Sequence, residues 1–253
     1  MADEVRLPGD FPLWTLPDWS QRFGVRVGIT GRATSDGEPV DLGLWGQQPV
    51  GTAMAAWQRF LGLFPEFDSQ VLGHQVHGAA VAVHHHGAGW CHFAGVDGHV
   101  TARPGVLLLV TVADCVPIYL VAPRHGAIGL LHAGWRGAAA GILERGVERM
   151  CSISRATPGD IVMHCGVAIS GPCYEVGHEV MAGLGVPAPG EGPWHLDLRA
   201  ALAERASGLG IAEVTLSGHC TAREAGHFHS HRRSGGRDGR QVAWLGIPPA
   251  NSD

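Results

Sequence analysis

A run of β-branched and leucine residues, Val106–Val112, constrains the fold of this chain more than any other segment. A strand with one face in water alternates apolar and polar residues, whereas a continuous run is typical of a strand buried on both faces. The run therefore predicts a strand in the interior of the fold rather than at its surface.

The rest of the chain contains both helix and strand patterns. Apolar residues alternate or cluster in short segments that predict strands, and they recur at helical spacing in longer segments. Two of the strands are predicted to form a hairpin that turns at His77-Gly78. This mixture indicates a single domain of the α/β or α+β class. The predicted strands are 25–29, 71–76, 79–83, 106–112, 118–121, 127–131, 161–167 and 213–216, and the predicted helices are 52–63, 137–150 and 197–209.

Length and composition agree with a domain that has a large core. The chain has 253 residues, of which 45% are hydrophobic, so it is long enough for one large domain or two small ones. Residues 1–24 are rich in Pro and Trp and are predicted to form a strap over the core. The remainder shows no internal repeat and no stretch long enough for a domain linker. Residues 25–248 are therefore predicted to form one domain.

The charged residues exclude several classes of function. The net charge is −5 and the longest basic block is Arg232-Arg233, which argues against binding of nucleic acid through its phosphates. All 18 basic residues are arginines. The chain therefore lacks the lysine that a Walker-type phosphate loop or a Schiff-base enzyme needs.

The apolar segments and the cysteines predict a cytoplasmic protein. The N-terminus is acidic and carries no apolar segment typical of a secretory signal. The longest apolar stretch, 105–122, is interrupted by Asp114 and Pro117 and is too broken to span a bilayer. The six cysteines include no C-x-x-C pair. In a reducing cytoplasm they are expected to be free thiols or metal ligands.

The 16 histidines draw attention to metal binding, yet the two histidine-rich segments are poor candidates. Residues 84–86 are consecutive, and neighbouring residues of a strand point to opposite faces, so a solvated turn is predicted there instead. His227, His229 and His231 alternate, and alternating residues share one face of a strand. Two arginines follow directly and disfavour a cation at that place.

Three other residues lie at the ends of predicted strands. Cys115 follows 106–112, His132 closes 127–131, and His77 lies at the predicted hairpin turn. Side chains at strand ends beside glycine-rich turns are well placed to line a pocket. One thiolate and two imidazoles suit zinc, with the fourth position open for water or substrate. Each residue taken alone also fits a buried core position, so the spacing leaves a shared site and separate structural roles both open.

The segment after His132 suggests a binding site for an anion. Gly134, Gly137 and Gly141 surround the predicted start of a helix, and Arg136 lies in its first turn. A helix N-terminus has unpaired N–H donors, and an arginine adds a bidentate fork for phosphate or carboxylate. Glycines that only permit close packing of a helix on a sheet explain the same pattern equally well.

Several motifs occur in an order that is known from one protein family. They are Gln-Val-His-Gly at 75–78, Ala-Asp-Cys-Val-Pro at 113–117, His-Ala-Gly-Trp-Arg-Gly at 132–137, Cys-Tyr-Glu-Val-Gly at 173–177, Asp-Leu-Arg at 197–199 and a C-terminal signature between 220 and 240. The chain thereby resembles the laccase-domain proteins, first called multicopper polyphenol oxidoreductases and later described as zinc-dependent purine nucleoside phosphorylases. The resemblance covers residues 25–247. One departure is that the family's Asp-Ala is Asp97-Gly98 here.

The resemblance implies a fold, an activity and a cofactor. The implied fold is α+β, a four-layer α/β/β/α sandwich with mixed sheets. The implied reactions are phosphorolysis of adenosine, inosine, guanosine and methylthioadenosine, together with hydrolytic deamination of adenosine. His77, Cys115 and His132 are implied to bind zinc, which copper can replace. The expected partners are purine nucleosides and phosphate, and we expect a monomer or a small homo-oligomer.

Further residues are candidates for roles in these reactions. For deamination, zinc activates water, and Asp114, next to the cysteine ligand, is the candidate for proton transfer. For phosphorolysis, Arg136 is the candidate phosphate anchor, and Arg232 or Arg233 is the candidate second anchor. Gln75 is a further candidate for substrate binding.

Three alternative functions remain open on the sequence. Cysteine and histidine ligands also suit a copper-dependent polyphenol oxidase, but the paired His-x-His motifs of multicopper oxidases occur here only away from Cys115. A cysteine hydrolase would use Cys115 as nucleophile and His132 as base. A thiolate bound to a metal is not free to attack, so these two roles compete. The third alternative is a partner protein without enzymatic activity.

Overall fold

A computed structural model of the protein describes residues 3–46, 48–85 and 87–250. Within these ranges the chain forms two large β-sheets with α-helices on their outer faces. The strands are β1 (Val5–Arg6), β2 (Leu13–Thr15), β3 (Arg26–Thr30), β4 (Ser69–His74), β5 (Val81–His84), β6 (Gly89–Ala94), β7 (Gly98–Thr101), β8 (Val106–Val112), β9 (Val116–Ala122), β10 (Ala127–Ala133), β11 (Val162–Cys165), β12 (Glu175–Val176), β13 (Trp194–His195), β14 (Glu213–Leu216) and β15 (Gln241–Gly246). The helices are α1 (Pro17–Phe23), α2 (Val50–Leu61), α3 (Trp135–Ala139), α4 (Ile142–Ser154), α5 (His178–Leu184), α6 (Leu198–Gly208) and α7 (His231–Ser234). In these ranges, no helix combines the length and the hydropathy that a membrane-spanning segment requires.

Both large sheets contain parallel and antiparallel neighbours. The first sheet has the order β1-β2-β3-β15-β8-β4-β6, and β4 runs parallel to β8 and β6. The second sheet has the order β14-β11-β9-β10-β7-β5, with parallel pairs at β14–β11 and β7–β5. Strands β12 and β13 form a separate small pair. The predicted α+β class with mixed sheets is therefore confirmed.

Three apolar clusters separate the layers of the molecule. Between the sheets, Leu108 and Val110 of β8 pack against residues of β9 and β10. On the outer face of the first sheet, Leu107 and Leu109 pack under α2. Helices α4, α5 and α6 cover the outer face of the second sheet. The order helix, sheet, sheet, helix confirms the four-layer sandwich, and β8 is buried on both faces as its sequence predicts.

The N-terminal segment, predicted as a strap, packs as part of the first sheet. Strand β2 pairs with β3 and thereby adds β1 and β2 at the sheet edge. Trp19 of α1 is fully buried in the cluster between the sheets. The Glu4 carboxylate reaches the backbone N–H of Val167 at 3.1 Å, beyond the end of β11. Ordered packing from residue 4 onwards therefore links this segment to both sheets.

Two predicted elements differ from the observed ones. Strands β4 and β5 do not form a hairpin, because β4 joins the first sheet and β5 the second, each beside parallel partners that a hairpin cannot provide. The turn between them carries the chain from one sheet to the other. The helix predicted at 137–150 is split into α3 and α4 at Gly141, whose φ of 84° is left-handed and interrupts the helical ladder.

Candidate metal centre

Three side chains from different elements converge at one end of the two sheets. His77 lies in the turn after β4, Cys115 in the turn between β8 and β9, and His132 near the end of β10. The antiparallel register sets His132 opposite Pro117, which brings the Cys115 turn beside the end of β10. Ligand atoms of the three side chains all lie within 4.8 Å of one another. The structure thus brings together the three residues that the sequence singled out, close enough for one ion to lie between them.

The ring of His132 is oriented by a buried carboxylate. His132 Nδ1 lies 2.8 Å from Asp97 Oδ1, and the two side chains are almost completely excluded from solvent. A carboxylate can only accept hydrogen bonds, so Nδ1 carries the hydrogen and donates it. In the neutral imidazole, Nε2 then keeps its lone pair, which is the arrangement of a metal-binding histidine.

The same carboxylate holds the turn that carries His77. Asp97 accepts hydrogen bonds from three successive backbone amides, those of Val76 at 3.1 Å, His77 at 3.0 Å and Gly78 at 2.9 Å. Successive amides around an anion form a nest. His77 has a φ of 59°, a left-handed value that is uncommon for a residue with a side chain. The nest therefore stabilises a turn that the sequence alone does not favour.

The electrostatics of the centre favour a thiolate. Burial by itself would raise the pKa of Cys115, but the adjacent His132 and His77 hold it below the ordinary value for a thiol. Burial would likewise lower the pKa of His132, but the Cys115 sulfur and Asp97 raise it above the ordinary value for histidine. Because the thiolate is the form of cysteine that binds metals, this environment prepares Cys115 as a ligand.

Two glycines let the backbone approach the three donors closely. A Cβ atom on Gly134 would lie 2.9 Å from His77 Cδ2 and 3.0 Å from Cys115 Sγ. A Cβ atom on Gly137 would lie 2.8 Å from the carbonyl oxygen of Gly78. The glycines after β10 therefore serve close packing against the donor residues, which was one of the two explanations of their pattern.

The donor set and its surroundings fit a divalent cation. One thiolate and two imidazoles are a common zinc ligand set, and they leave a fourth position free. His77 is exposed and Cys115 is half-buried, so the centre is open toward solvent on one side. The cradle that a Cβ on Gly134 would fill is kept clear.

The centre lies in the wall of a large cleft. Its volume is about 1020 Å³, which is at the upper end for sites that hold small organic ligands. Besides the three donors, the lining includes carboxylates, arginines and aromatic rings. These are Asp41, Asp114, Asp238, Arg136, Arg232, Arg237, Arg240, Trp45, His74, Trp135 and Tyr174.

Two of the predicted phosphate anchors line this cleft. Arg136 is exposed in α3, and its guanidinium lies 4.4 Å from the centre of the Trp135 ring. Arg232 lies over the Tyr174 ring at 5.0 Å and donates to the carbonyl oxygen of Glu175 at 2.6 Å. Both guanidinium groups are therefore stacked on aromatic rings at the cleft surface.

Arg233, the alternative second anchor, has a different environment. Its guanidinium donates to the backbone oxygens of Thr221 and Phe228 and to the Asp238 carboxylate at 2.7 Å. It is absent from the described lining of the cleft. These hydrogen bonds join α7 to the loops on either side of it.

Asp114 and Gln75 line the cleft, but their polar atoms join segments of the chain. Asp114, with a φ of 81°, accepts hydrogen bonds from Thr221 Oγ1 at 2.5 Å and from the backbone N–H of Arg232 at 2.6 Å. Gln75 Nε2 donates to the Thr111 carbonyl at 2.7 Å, and its Oε1 accepts the Thr111 amide at 2.8 Å. The first pair of contacts fixes the Cys115 turn, and the second fixes the turn after β4.

The solvated turn predicted at 84–86 is wrong for its first residue. His84 is buried in β5, and its Nε2 lies 2.9 Å from Nδ1 of the buried His99. His85 is exposed in a bend, as predicted, and His86 lies outside the described residues. The pairing of β5 with β7 buries His84, because it sets both histidines in neighbouring strands.

The alternating histidines at 227–231 do not share the face of a strand. The described segment 227–230 is a loop, and α7 begins at His231. His229 is buried between the Asp238 carboxylate at 2.7 Å and the carbonyl oxygen of Val40 at 2.7 Å. Its ring is therefore held by hydrogen bonds within the protein.

Sequence reasoning assigned no role to three residues of the site. Asp97 was noted only as part of a departure from a family motif, Asp97-Gly98, and received no role. Trp45 is 48% exposed and stacks on His74, with ring centroids 4.4 Å apart and planes at 21°. Burial raises the pKa of Tyr174 to about 12, so its hydroxyl remains a hydrogen-bond donor in the cleft. Tyr174 was part of a motif, but nothing in its pattern indicated a position near Cys115.

A four-layer sandwich with a Cys-His-His centre in a cleft defines a class of laccase-like proteins with a candidate metal site. Residues 47–248 match the family described as multi-copper polyphenol oxidoreductase laccase. The chain belongs to this family, as the motifs predicted.

Named relatives and a solved structure agree with this assignment. The chain is 41% identical over 180 residues to a purine nucleoside phosphorylase of Deinococcus radiodurans, covering 69% of this chain and 68% of the relative. It is 39% identical over 158 residues to adenosine deaminase RL5 of an unknown prokaryotic organism, covering 58% of this chain and 60% of the relative. The crystal structure of YlmD from Geobacillus stearothermophilus superposes with a TM-score of 0.82 at 29% identity, covering 96% of this chain and 98% of YlmD.

Proposed function

We propose that the protein is a metal-dependent enzyme that phosphorolyses purine nucleosides and, as a second activity, deaminates adenosine by hydrolysis. The observation that carries the proposal is the convergence of His77, Cys115 and His132 in a cleft of about 1020 Å³. The names of the relatives support it, since phosphorylases and an adenosine deaminase occur among them. Adenosine, inosine, guanosine and methylthioadenosine are the proposed substrates.

The proposed cofactor is one zinc ion on His77, Cys115 and His132. The argument is the donor set, because a thiolate with two imidazoles suits zinc and leaves a position open. When bound, the ion supplies a Lewis acid that can polarise a substrate oxygen or activate water. Copper is the alternative cation, since the same donors are acceptable to it.

The proposed phosphate site lies on the arginines of the cleft. Arg136 is the first anchor, because within the described residues its guanidinium stacks on Trp135 and makes no hydrogen bond. Arg232 is the second, and Arg237 is added because it lines the same cleft. Arg233 is not retained as an anchor, since its donors are used within the C-terminal segment.

The proposed nucleoside contacts are aromatic and polar. The exposed Trp45–His74 stack offers a flat surface for a purine ring, and base–aromatic stacking is worth about 1–3 kcal/mol. The Tyr174 hydroxyl can donate to the ribose or the base. Asp114 remains the candidate for proton transfer, because it lines the cleft next to Cys115. Its carboxylate accepts two hydrogen bonds, and it would give up one of them when it accepts the proton.

Elemental analysis combined with two turnover assays tests the proposal. We expect about one zinc per chain, release of adenine from adenosine only when phosphate is present, and slower release of ammonia without phosphate. Full phosphorolysis by metal-free protein would contradict the role of the centre. Turnover of adenosine to inosine alone would leave a deaminase and remove the phosphorylase.

An oxidase is not favoured by the structure. Among the described residues, one group of three metal-binding side chains is found, whereas a multicopper enzyme needs several. Support for copper and oxidation is limited to the name of the family.

A cysteine hydrolase is the second candidate, for a metal-free state. This function is favoured by the arrangement of Cys115, His132 and Asp97, in which a carboxylate orients an imidazole beside a thiol. Alkylation of Cys115 by iodoacetamide distinguishes the two functions, because a bound metal protects the thiolate. Labelling that persists at saturating zinc supports the hydrolase, and protection by zinc supports the proposed metalloenzyme.

A further inference from the structure

We infer that Asp97 is the positioning residue of the metal centre: its single carboxylate both holds the His77 turn in its ligand-presenting conformation and selects the metal-binding tautomer of His132. The inference rests on the proposed function, because it concerns how two of the proposed ligands are presented. Asp97 itself touches neither substrate nor metal in this assignment.

The position of Asp97 is fixed by the backbone on both sides. It precedes β7, and its amide donates to the carbonyl oxygen of Ala80 at 3.0 Å. Its carbonyl oxygen accepts the amide of His132 at 2.7 Å. Asp97 is therefore anchored to β10, which carries His132, and to the turn that follows His77. Its side chain is fully buried and cannot leave this place without breaking the junction between them.

The hydrogen bonds of the carboxylate are shared between the two ligand residues. Oδ1 accepts from the His77 amide and from His132 Nδ1, and Oδ2 accepts from the amides of Val76 and Gly78. Four N–H donors use the capacity of one carboxylate almost fully. A neutral amide in its place would retain one acceptor oxygen, so two donors would lose their partner whichever way it was oriented.

Strain in the turn explains why an anion is needed there. A left-handed conformation at a residue with a side chain is unfavourable and persists only when its surroundings impose it. His77 has this conformation, and three consecutive amides point to Asp97. The bonds from an ionised acceptor are the stronger ones. Without the anion the turn can relax and move the His77 ring away from Cys115.

The charges of the buried groups also match a divalent cation. With a cation at the three donors, both imidazoles would be neutral, and Asp97 and the Cys115 thiolate would contribute one negative charge each. In the described part of the chain, Asp97 pairs with His132, and no arginine pairs with it. A buried charge needs a partner. A doubly charged cation at the three donors would give the centre a net charge of zero. The thiolate would neutralise one of its positive charges, and Asp97 would neutralise the other.

A buried carboxylate can also be purely structural, and the molecule contains an example that serves as a control. Glu4 accepts from His164 Nε2 at 3.2 Å, from the amide of Val167 at 3.1 Å and from Ser217 Oγ at 2.6 Å. It is buried like Asp97 but contacts none of the three proposed ligands in the described residues. Glu4→Gln therefore removes the charge of a buried carboxylate–histidine pair while the metal centre is unchanged.

The first experiment uses the unmodified protein loaded with zinc and labelled with ¹⁵N-histidine. The expected spectrum shows His132 with its proton on Nδ1, in a strong hydrogen bond, and with Nε2 unprotonated and shifted by the metal. A spectrum with the His132 proton on Nε2 overturns the inference. Absence of zinc binding by the unmodified protein instead overturns the proposed function, so the two failures are distinguishable.

The second experiment compares Asp97→Asn with Glu4→Gln. Zinc dissociation constants are measured by competition with a chromophoric chelator, on the folded fraction of each protein. Loss of a partner that orients a ligand is expected to weaken zinc binding by about 10- to 100-fold in Asp97→Asn. Glu4→Gln is expected to lower the Tm while zinc affinity stays within about twofold of the unmodified protein.

Cobalt substitution adds a readout that a purely structural role would not move. The visible absorption of Co²⁺ reports the ligand set, and Asp97→Asn is expected to change these bands, whereas Glu4→Gln keeps them. A folded Asp97→Asn with unaltered zinc affinity and an unaltered cobalt spectrum overturns the inference. If Asp97→Asn does not fold, the tautomer of His132 in the unmodified protein decides the question.

Discussion

Two buried carboxylate–histidine pairs in this molecule differ in what the second ring nitrogen faces. In the pair of His132 with Asp97, the other nitrogen faces Cys115, His77 and an open cleft. In the pair of His164 with Glu4, the other nitrogen lies 2.9 Å from the Thr215 hydroxyl inside the protein. Burial and a carboxylate partner therefore do not make a site. The difference lies in whether the oriented lone pair converges with other donors.

Two cysteines, Cys165 and Cys115, also differ in whether other donor side chains surround them. Cys165 is fully buried in the core of the second sheet, and burial raises the pKa of its thiol to about 12. Cys115 is near two imidazoles, which hold the pKa of its thiol below the ordinary value. A buried thiol far from cations stays protonated, whereas one beside histidines is prepared as a thiolate.

The largest expected effect follows from removing the sulfur. Cys115→Ala should reduce zinc from about one per chain to background and abolish turnover, because two imidazoles alone make a weak site. Elemental analysis and an adenosine phosphorolysis assay measure both effects. Cys165→Ala is the matched control and should keep the metal, with a modest loss of stability from the cavity. Full zinc content in Cys115→Ala would break the contrast between the two cysteines.

A smaller effect is expected from filling the space beside the donors. Gly134→Ala sets a Cβ 2.9 Å from His77 Cδ2 and 3.0 Å from Cys115 Sγ, so both donors must shift. Displacements approaching 1 Å cost activity by roughly 100-fold, and zinc affinity should fall in parallel.

Gly208→Ala is the control for this substitution. Gly208 is the last residue of α6, and a Cβ atom there would meet nothing within 4 Å. This variant should be as stable as the unmodified protein or slightly more stable, since alanine is the better helix former. If Gly134→Ala bound zinc as tightly as Gly208→Ala, the donors would be more mobile than their packing indicates.

Much of this fold follows from the sequence because apolar patterns are local. Val106–Val112 and Glu213–Leu216 are strands with the predicted bounds, since an apolar or alternating run specifies its own burial. The pairing of the strand before His77 was wrong, because a short turn predicts a hairpin and the parallel partners of β4 are distant in sequence. Which strands pair in a sheet therefore depends on the whole chain and not on the local sequence.

The residues of the candidate site also divide into those that the sequence could predict and those that it could not. His77, Cys115 and His132 each follow a strand, so the sequence could nominate them, and the structure brings them together. Asp97 was given no role because its partners lie 19–35 positions away along the chain, with no pattern that connects them. Arg233 was nominated beside Arg232, but adjacent residues of α7 point in different directions, and only the latter lines the cleft.

The pH dependence of stability extends the comparison to a histidine pair without a carboxylate. Burial lowers the pKa of His84 to about 4 and that of His99 to about 3. Unfolded histidines titrate near 6.5, so below that pH the unfolded chain binds more protons than the folded one. The free energy of unfolding should therefore fall as the pH drops from 6.5 toward 4, by about 2 kcal/mol per histidine at pH 5.

Urea unfolding at pH 7 and pH 5 measures this loss. The double variant His84→Leu with His99→Leu should lose less stability between the two pH values than the unmodified protein does. His85→Gln, which removes an exposed histidine next to the pair, should retain most of the loss, because burial is the main cause of the lowered pKa of His84. An equal loss in the double variant would assign the pH dependence to other groups.

The smallest expected effect concerns phosphate. Arg136→Ala removes one charge-assisted contact, worth about 1.5 kcal/mol, so the KM for phosphate should rise about 10-fold. The KM for the nucleoside should change less, because the proposed stacking surface at Trp45 and His74 is unaltered. Arg124→Ala, an exposed arginine paired with Asp160 away from the cleft, should leave both constants unchanged.

Arg233→Ala provides a second comparison with Arg136→Ala, because Arg233 is also an arginine near the cleft but is expected to stabilise the fold instead of binding phosphate. Its guanidinium joins three segments through hydrogen bonds, so its loss should lower the Tm and leave the phosphate KM of the folded enzyme near its original value. The two arginine variants should thus separate binding from stability. If the phosphate KM rose in Arg233→Ala and stayed constant in Arg136→Ala, phosphate would bind at the C-terminal segment instead of at α3.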